Sequence, residues 1–119
     1  MGDISTNFSR SEFACKCQCG FDTVDTELLE ILEIIRAKFD ARVTVNSGCR
    51  CRKYNTKIKG SKQSKHMEGR AADIVIEGVS PASVQAYAMT LWPDKFGIGC
   101  YDSFTHLDAR SGHAARWQG

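Results

Sequence analysis

Ser64-Lys65-His66-Met67-Glu68-Gly69-Arg70-Ala71-Ala72-Asp73-Ile74-Val75-Ile76 is the stretch on which the reading of the fold turns. It ends in Asp73-Ile74-Val75-Ile76, a short β-branched run with the pattern of a buried strand, and the Ser/Lys/Gly-rich approach to it reads as loop. Gly69 suits a tight reversal with positive φ, while Ala71 and Ala72 leave room for close packing. His66 is therefore expected on a loop and Asp73 at a strand mouth. Further along, Phe104-Thr105-His106-Leu107-Asp108 is a second strand candidate. Its period of two puts Phe104, His106 and Asp108 on one face.

Two imidazoles and a carboxylate, from His66, Asp73 and His106, are a ligand set for a divalent metal. A structural zinc is usually closed by four protein ligands, whereas a hydrolytic zinc keeps three and leaves one position open. The set predicts the second kind, with zinc as cofactor. Taken singly, either histidine would read as an ordinary core or surface imidazole. His113, in the turn Ser111-Gly112-His113, has no supporting context and is expected to be exposed.

The other periodicities predict an α+β domain. Val24 to Phe39 carries Leu28, Leu32, Ile35 and Phe39 at helical spacing, with Ile31 widening the stripe and Asp25 and Glu27 at the positive N-terminal end. Arg42 to Asn46 reads as a strand entering the Ser47-Gly48 turn, and Lys53 to Lys59 as a short helix stopped by Gly60. Ser80 caps a helix with Pro81 at its first position and Val84, Tyr87, Ala88 and Leu91 on one face. Strands near Arg42, Asp73, Phe96 and Phe104 make a small sheet backed by these helices. No linker, repeat or low-complexity tract divides the 119 residues. One domain over 1–119 is expected, with residues 1–7 as a short, dispensable arm.

At these residues the chain resembles the zinc D-alanyl-D-alanine carboxypeptidases and the related cell-wall endopeptidases of bacteria and bacteriophages. The family pattern Ser-x-His-x-x-Gly-x-Ala-x-Asp is met from Ser64 to Asp73, and a late His on a strand is met by His106. Asn46-Ser47-Gly48-Cys49-Arg50 is similar to the family's Ser-Gly-Tyr-Arg turn, with Cys49 in place of the aromatic. Phe96-Gly97-Ile98-Gly99, His106-Leu107-Asp108 and Ala115-Arg116-Trp117 extend the likeness over most of the chain. Hedgehog signalling domains share the zinc pattern. The resemblance implies a mixed, largely antiparallel sheet of the Hedgehog/DD-peptidase kind and hydrolysis of peptidoglycan peptides. It also implies that Arg50 holds the substrate and its oxyanion, with Ser64 contacting the substrate carboxylate. Well-studied relatives place the proton-shuttling carboxylate three residues before the last His, where this chain has Ser103. Asp108 is the first substitute and Asp102 the second; the other role open to Asp108 is to orient a ligand imidazole.

The net charge is only +2, yet between Arg50 and Arg70 eight cations face the single acid Glu68. A cationic rim at the metal site suits an anionic cell-wall polymer. No nucleic-acid motif accompanies the charges, so nucleic acid is not an expected partner. Of six cysteines, Cys15-Lys16-Cys17-Gln18-Cys19 and Cys49-Arg50-Cys51 form two clusters without the Cys-x-x-Cys spacing of zinc ribbons. A disulfide or close thiol packing between the clusters is expected, and no second metal. With no signal-type apolar segment or membrane-length run, the expectation is a monomer without membrane partner or export signal of its own, as for a phage lysin reaching the wall through a holin. A catalytically silent zinc-bearing binding domain, and a structural wall-binding component, are the alternatives.

Overall fold

A computed structural model describes residues 2–119. Three α-helices, α1 (Thr26–Phe39), α2 (Arg52–Lys57) and α3 (Pro81–Leu91), accompany five strands: β1 (Val43–Ser47), β2 (Ala71–Ile76), β3 (Gly97–Cys100), β4 (Thr105–Asp108) and β5 (Ala115–Gln118). The strands form one sheet in the order β1-β2-β4-β3-β5. Pairing is antiparallel except between β3 and β5, which run parallel. This is the α+β class that the periodicities predict, with the mixed, largely antiparallel sheet that the resemblance implies.

Each main helix starts where its side chains can satisfy the first free N–H groups. Asp25 accepts from the Leu28 amide at the head of α1, and Ser80 accepts from Ser83 at the head of α3, where Pro81 needs no donor. The apolar stripe of α1 then buries Leu28, Ile31, Leu32 and Ile35. They pack with Val84 and Ala88 of α3 against Ala72, Ile74, Ile76, Ile98 and Leu107 of the sheet. Alternation along the strands sends Asp73, His106 and Asp108 to the opposite face. The core is thus the floor on which the polar site is built.

Two elements differ from the expected ones, and the N-terminal arm takes a defined place. The short helix spans Arg52–Lys57, and the left-handed residue after it is Lys59, before Gly60 is reached. Ala115–Gln118 is a strand that its composition does not announce, because it forms by docking alongside β3. The N-terminal arm is not loose: Ser5 and Asn7 donate three hydrogen bonds to the Glu33 carboxylate on α1, at 2.6 to 2.7 Å, and Phe8 is fully buried. Met1 lies outside the described residues. No helix among those described is long and apolar enough to cross a membrane.

Candidate metal centre

His66 is carried by a single 3-10 turn, Lys65–Glu68, capped by the Ser64 hydroxyl, which accepts from the His66 amide at 3.2 Å. Gly69 closes the turn with φ 69°, as its place in the sequence suggests. Asp73 and His106 are directly paired across β2 and β4. One carboxylate oxygen then faces both rings: Asp73 Oδ1 lies 3.2 Å from His66 Nε2 and 3.1 Å from His106 Nδ1. All three residues are buried.

The remote ring nitrogens settle the tautomers. His66 Nδ1 lies 2.6 Å from the Gly48 carbonyl, which can only accept, so this nitrogen donates. His106 Nε2 lies 2.7 Å from Asp108 Oδ2, a carboxylate already held by Arg110, and it donates too. In the neutral rings the nitrogens left facing Asp73 are lone pairs. Two lone pairs and a carboxylate oxygen converge with no donor between them, a demand that a divalent cation meets. The directions of the pKa shifts describe the alternative to a bound cation, in which the rings carry extra protons that Asp73 accepts. Burial raises the Asp73 carboxyl, but hydrogen bonds and charge from His106 and His66 outweigh it and hold it well below the usual carboxylate range. Burial lowers the His106 imidazole, yet Asp108 and Asp73 raise it above its ordinary value. Both shifts express a cavity that favours positive charge among its donors. His66, Asp73 and His106 therefore fit zinc, with the donor set of a three-ligand open site.

A second layer of residues holds the ligands. Arg50 donates to Asp73 Oδ2 from Nη2 at 3.1 Å, to Ser47 Oγ from Nε at 3.1 Å and to Asn55 Oδ1 from Nη1 at 3.2 Å. Of the five guanidinium N–H groups, two are left for a substrate. Buried Asn55, on α2, also ties itself to the Ser61 carbonyl at 2.8 Å and was not legible as a site residue. Arg110, likewise missed, grips Asp108 through its backbone amide, Nε and Nη2 at 3.1, 2.8 and 2.7 Å. Burial raises the Asp108 carboxyl, but Arg110 and His106 together depress it strongly.

These contacts bear on both candidates for the general base. Asp108 is wholly buried, with four donors on its two oxygens, so it orients His106 and does not reach the cleft. Asp102 is exposed in the turn between β3 and β4 and lies outside the cleft lining. Ser64 lines the cleft as a cap whose hydroxyl proton is still free to donate.

The cleft over the donors measures about 590 Å³. Tyr101 and Phe104, stacked at 4.2 Å, form an aromatic wall with Trp117, whose ring lies 4.9 Å from His106 and whose Nε1 donates to Tyr101 Oη at 3.1 Å. Arg50, Lys59, Lys65 and Arg110 supply the cations, and Asp73 is the only carboxylate in the lining. Glycines make this geometry possible. In the β3–β4 register Gly97 faces Asp108 and Gly99 faces His106. A Cβ at 97 would enter the Asp108 carboxylate, and one at 99 would enter the Trp117 ring.

No curated protein matches the sequence. A family model described as Peptidase M15 matches residues 6–108, a span holding Arg50, Ser64 and all three metal donors, while Arg110 and Trp117 lie beyond it. The match covers most of the chain and agrees with the zinc-type donor set, so the chain belongs to the Peptidase M15 family, the zinc D-Ala-D-Ala carboxypeptidase-like peptidases.

Proposed function

We propose that the chain is a zinc metallopeptidase that hydrolyses peptide bonds in peptidoglycan stem peptides or their cross-links. The observation that carries this reading is the convergence of His66 Nε2, Asp73 Oδ1 and His106 Nδ1 at the base of a cleft whose rim is cationic. When bound there, zinc would supply Lewis-acid polarisation of a carbonyl and activation of water.

The chain's own residues do the rest. Lys59, Lys65 and the free N–H groups of Arg50 and Arg110 would hold the carboxylates of a stem peptide, and the guanidinium of Arg50 lies beside the ligand Asp73, where an oxyanion would develop. The aromatic wall would exclude water from one side of the scissile bond. With Asp73 engaged as a ligand and no other carboxylate in the lining, the Tyr101 hydroxyl is the group we assign to hand a proton to the departing amine. Its hydroxyl oxygen accepts from Trp117, which leaves the O–H free to donate.

The test is release of new amino groups from purified peptidoglycan. Activity should vanish on chelation, return with zinc and be absent in His106→Ala. Mass spectrometry of the fragments from defined muropeptides then distinguishes D-Ala-D-Ala, L-Ala-D-Glu and diaminopimelate cross-link cleavage. The lack of a second carboxylate in the cleft lining favours one other reading, a zinc-bearing wall-binding domain. Cosedimentation with sacculi and no amine release at full zinc loading would select it.

A further inference from the structure

Four cysteines that take no part in this chemistry are gathered at one place. Cys15, Cys17 and Cys19 follow the 3-10 turn Arg10–Glu12, and Cys51 is the residue before α2. Their Sγ atoms all lie within 4.8 Å of one another, with Cys17 Sγ at 3.4 Å from Cys15 and 3.5 Å from Cys51. Gln18 is what folds the loop: it takes a left-handed conformation, φ 63°, and its amide donates to the Cys15 carbonyl at 3.0 Å. This turn lets a Cys-x-Cys-x-Cys run close on itself without the usual two-residue knuckle. The loop is then fastened by the Cys15 amide on the Phe21 carbonyl and the Cys49 amide on the Phe13 carbonyl, both at 2.8 Å.

We propose that Cys15, Cys17, Cys19 and Cys51 form a second, closed site that binds one structural zinc ion as four thiolates. Zn–S bonds of about 2.3 Å give tetrahedron edges of about 3.8 Å, in the range these sulfurs already occupy. No sulfur is bonded to another, and all six cysteines are free thiols. Backbone amides point at two of the sulfurs, Cys51 N at Cys15 Sγ (3.4 Å) and Tyr54 N at Cys51 Sγ (3.3 Å), the kind of support that stabilises a ligating thiolate. Four soft ligands select zinc or iron over magnesium or calcium, and the thiolates of a multi-iron cluster lie further apart than these. Lys16, Arg52 and Lys53, adjacent in sequence and exposed, offset the net negative charge of a tetrathiolate zinc. Cys49 marks the boundary of the set. It is buried nearby but donates its S–H to the Phe21 carbonyl at 2.9 Å.

Binding exchanges four thiol protons for one Zn²⁺, with no redox step. It would fix residues 15–19 to the position next to Arg50 and so brace the guanidinium that holds Asp73. The approach of Cys17 to Cys51 is the close thiol packing between the clusters that the sequence suggests, and the proposed ion adds a second metal to it.

Elemental analysis of protein purified with reductant and without chelator tests the proposal. Wild type should carry two zinc ions per chain. His66→Ala/His106→Ala should carry one, released by a mercurial thiol reagent, and Cys17→Ser and Cys19→Ser should lose that one. Cobalt-loaded His66→Ala/His106→Ala should show thiolate-to-metal charge-transfer bands; should it fail to fold, cobalt-loaded wild type gives the same readout, since nitrogen and oxygen donors produce no such band. One zinc in wild type with none in the histidine variant would overturn the proposal. So would cobalt spectra without charge transfer, iron in place of zinc, or an intact mass showing disulfides in freshly purified protein.

Discussion

His106 Nε2 lies 2.7 Å from Asp108 Oδ2, so the imidazole that offers Nδ1 to the metal centre is gripped from behind by a carboxylate with no exposure of its own. Asp108→Asn would replace the acceptor with an amide and leave the Arg110 guanidinium without its charged partner. Zinc affinity should fall by about 10- to 100-fold. Competition against a chromogenic chelator measures it, and activity should return at saturating zinc. Loss of turnover at full occupancy would instead make Asp108 a participant in proton transfer.

Arg50→Lys keeps a positive charge but cannot make the three hydrogen bonds that link Asp73, Ser47 and Asn55. Turnover on a muropeptide should drop by a factor on the order of 10², with zinc still stoichiometric when supplied in excess. Wild-type rates would remove Arg50 from both roles, ligand support and substrate binding.

The N-terminal arm should be acid-labile. Burial raises the Glu33 carboxyl, but hydrogen bonds from Asn7 and Ser5 outweigh it, so its pKa in the folded protein lies below the ordinary value. A depressed carboxylate contributes stability that is present above its unfolded pKa, about 4.3, and is lost as pH falls through the folded one. Glu33→Gln should therefore cost about 1 kcal/mol near neutrality. The difference from wild type should shrink below about pH 4.3. Denaturant unfolding of both proteins across that range checks the sign.

Gly97→Ala drives a methyl group into the Asp108 carboxylate across the β3–β4 ladder. Such overpacking should destabilise the fold by about 1–3 kcal/mol. Zinc affinity should weaken in parallel, because the displaced carboxylate no longer orients His106. An unchanged unfolding midpoint would show that β3 can shift to make room.

The cluster of His66, Asp73 and His106 was legible because each lies in a short local pattern. A capped turn, a β-branched strand and a period-two strand require no knowledge of what they pack against. Arg110 and Asn55 were not legible, since their roles depend on which strand or helix arrives beside them. The same holds for β5: Ala115-Arg116-Trp117-Gln118 has little intrinsic strand character and becomes a strand by pairing with Gly97–Cys100. The gathering of four cysteines was only partly legible, because spacing alone does not reveal that Gln18 turns the loop back on itself. The burial of Asp108 was hidden for a related reason. Period two put Asp108 on the right face, but only the tertiary structure shows Arg110 closing over it.

The direct pairing of Asp73 with His106 makes the metal centre a reporter of strand registration. Slippage of β4 past β2 by one residue would turn His106 toward the core and bring Leu107 out beside Asp73. A misregistered chain could keep its helices and most of its sheet and still lack one donor. Metal uptake during refolding should thus follow correct registration of β4 on β2, and a mispaired population would persist as metal-free protein with near-native secondary structure.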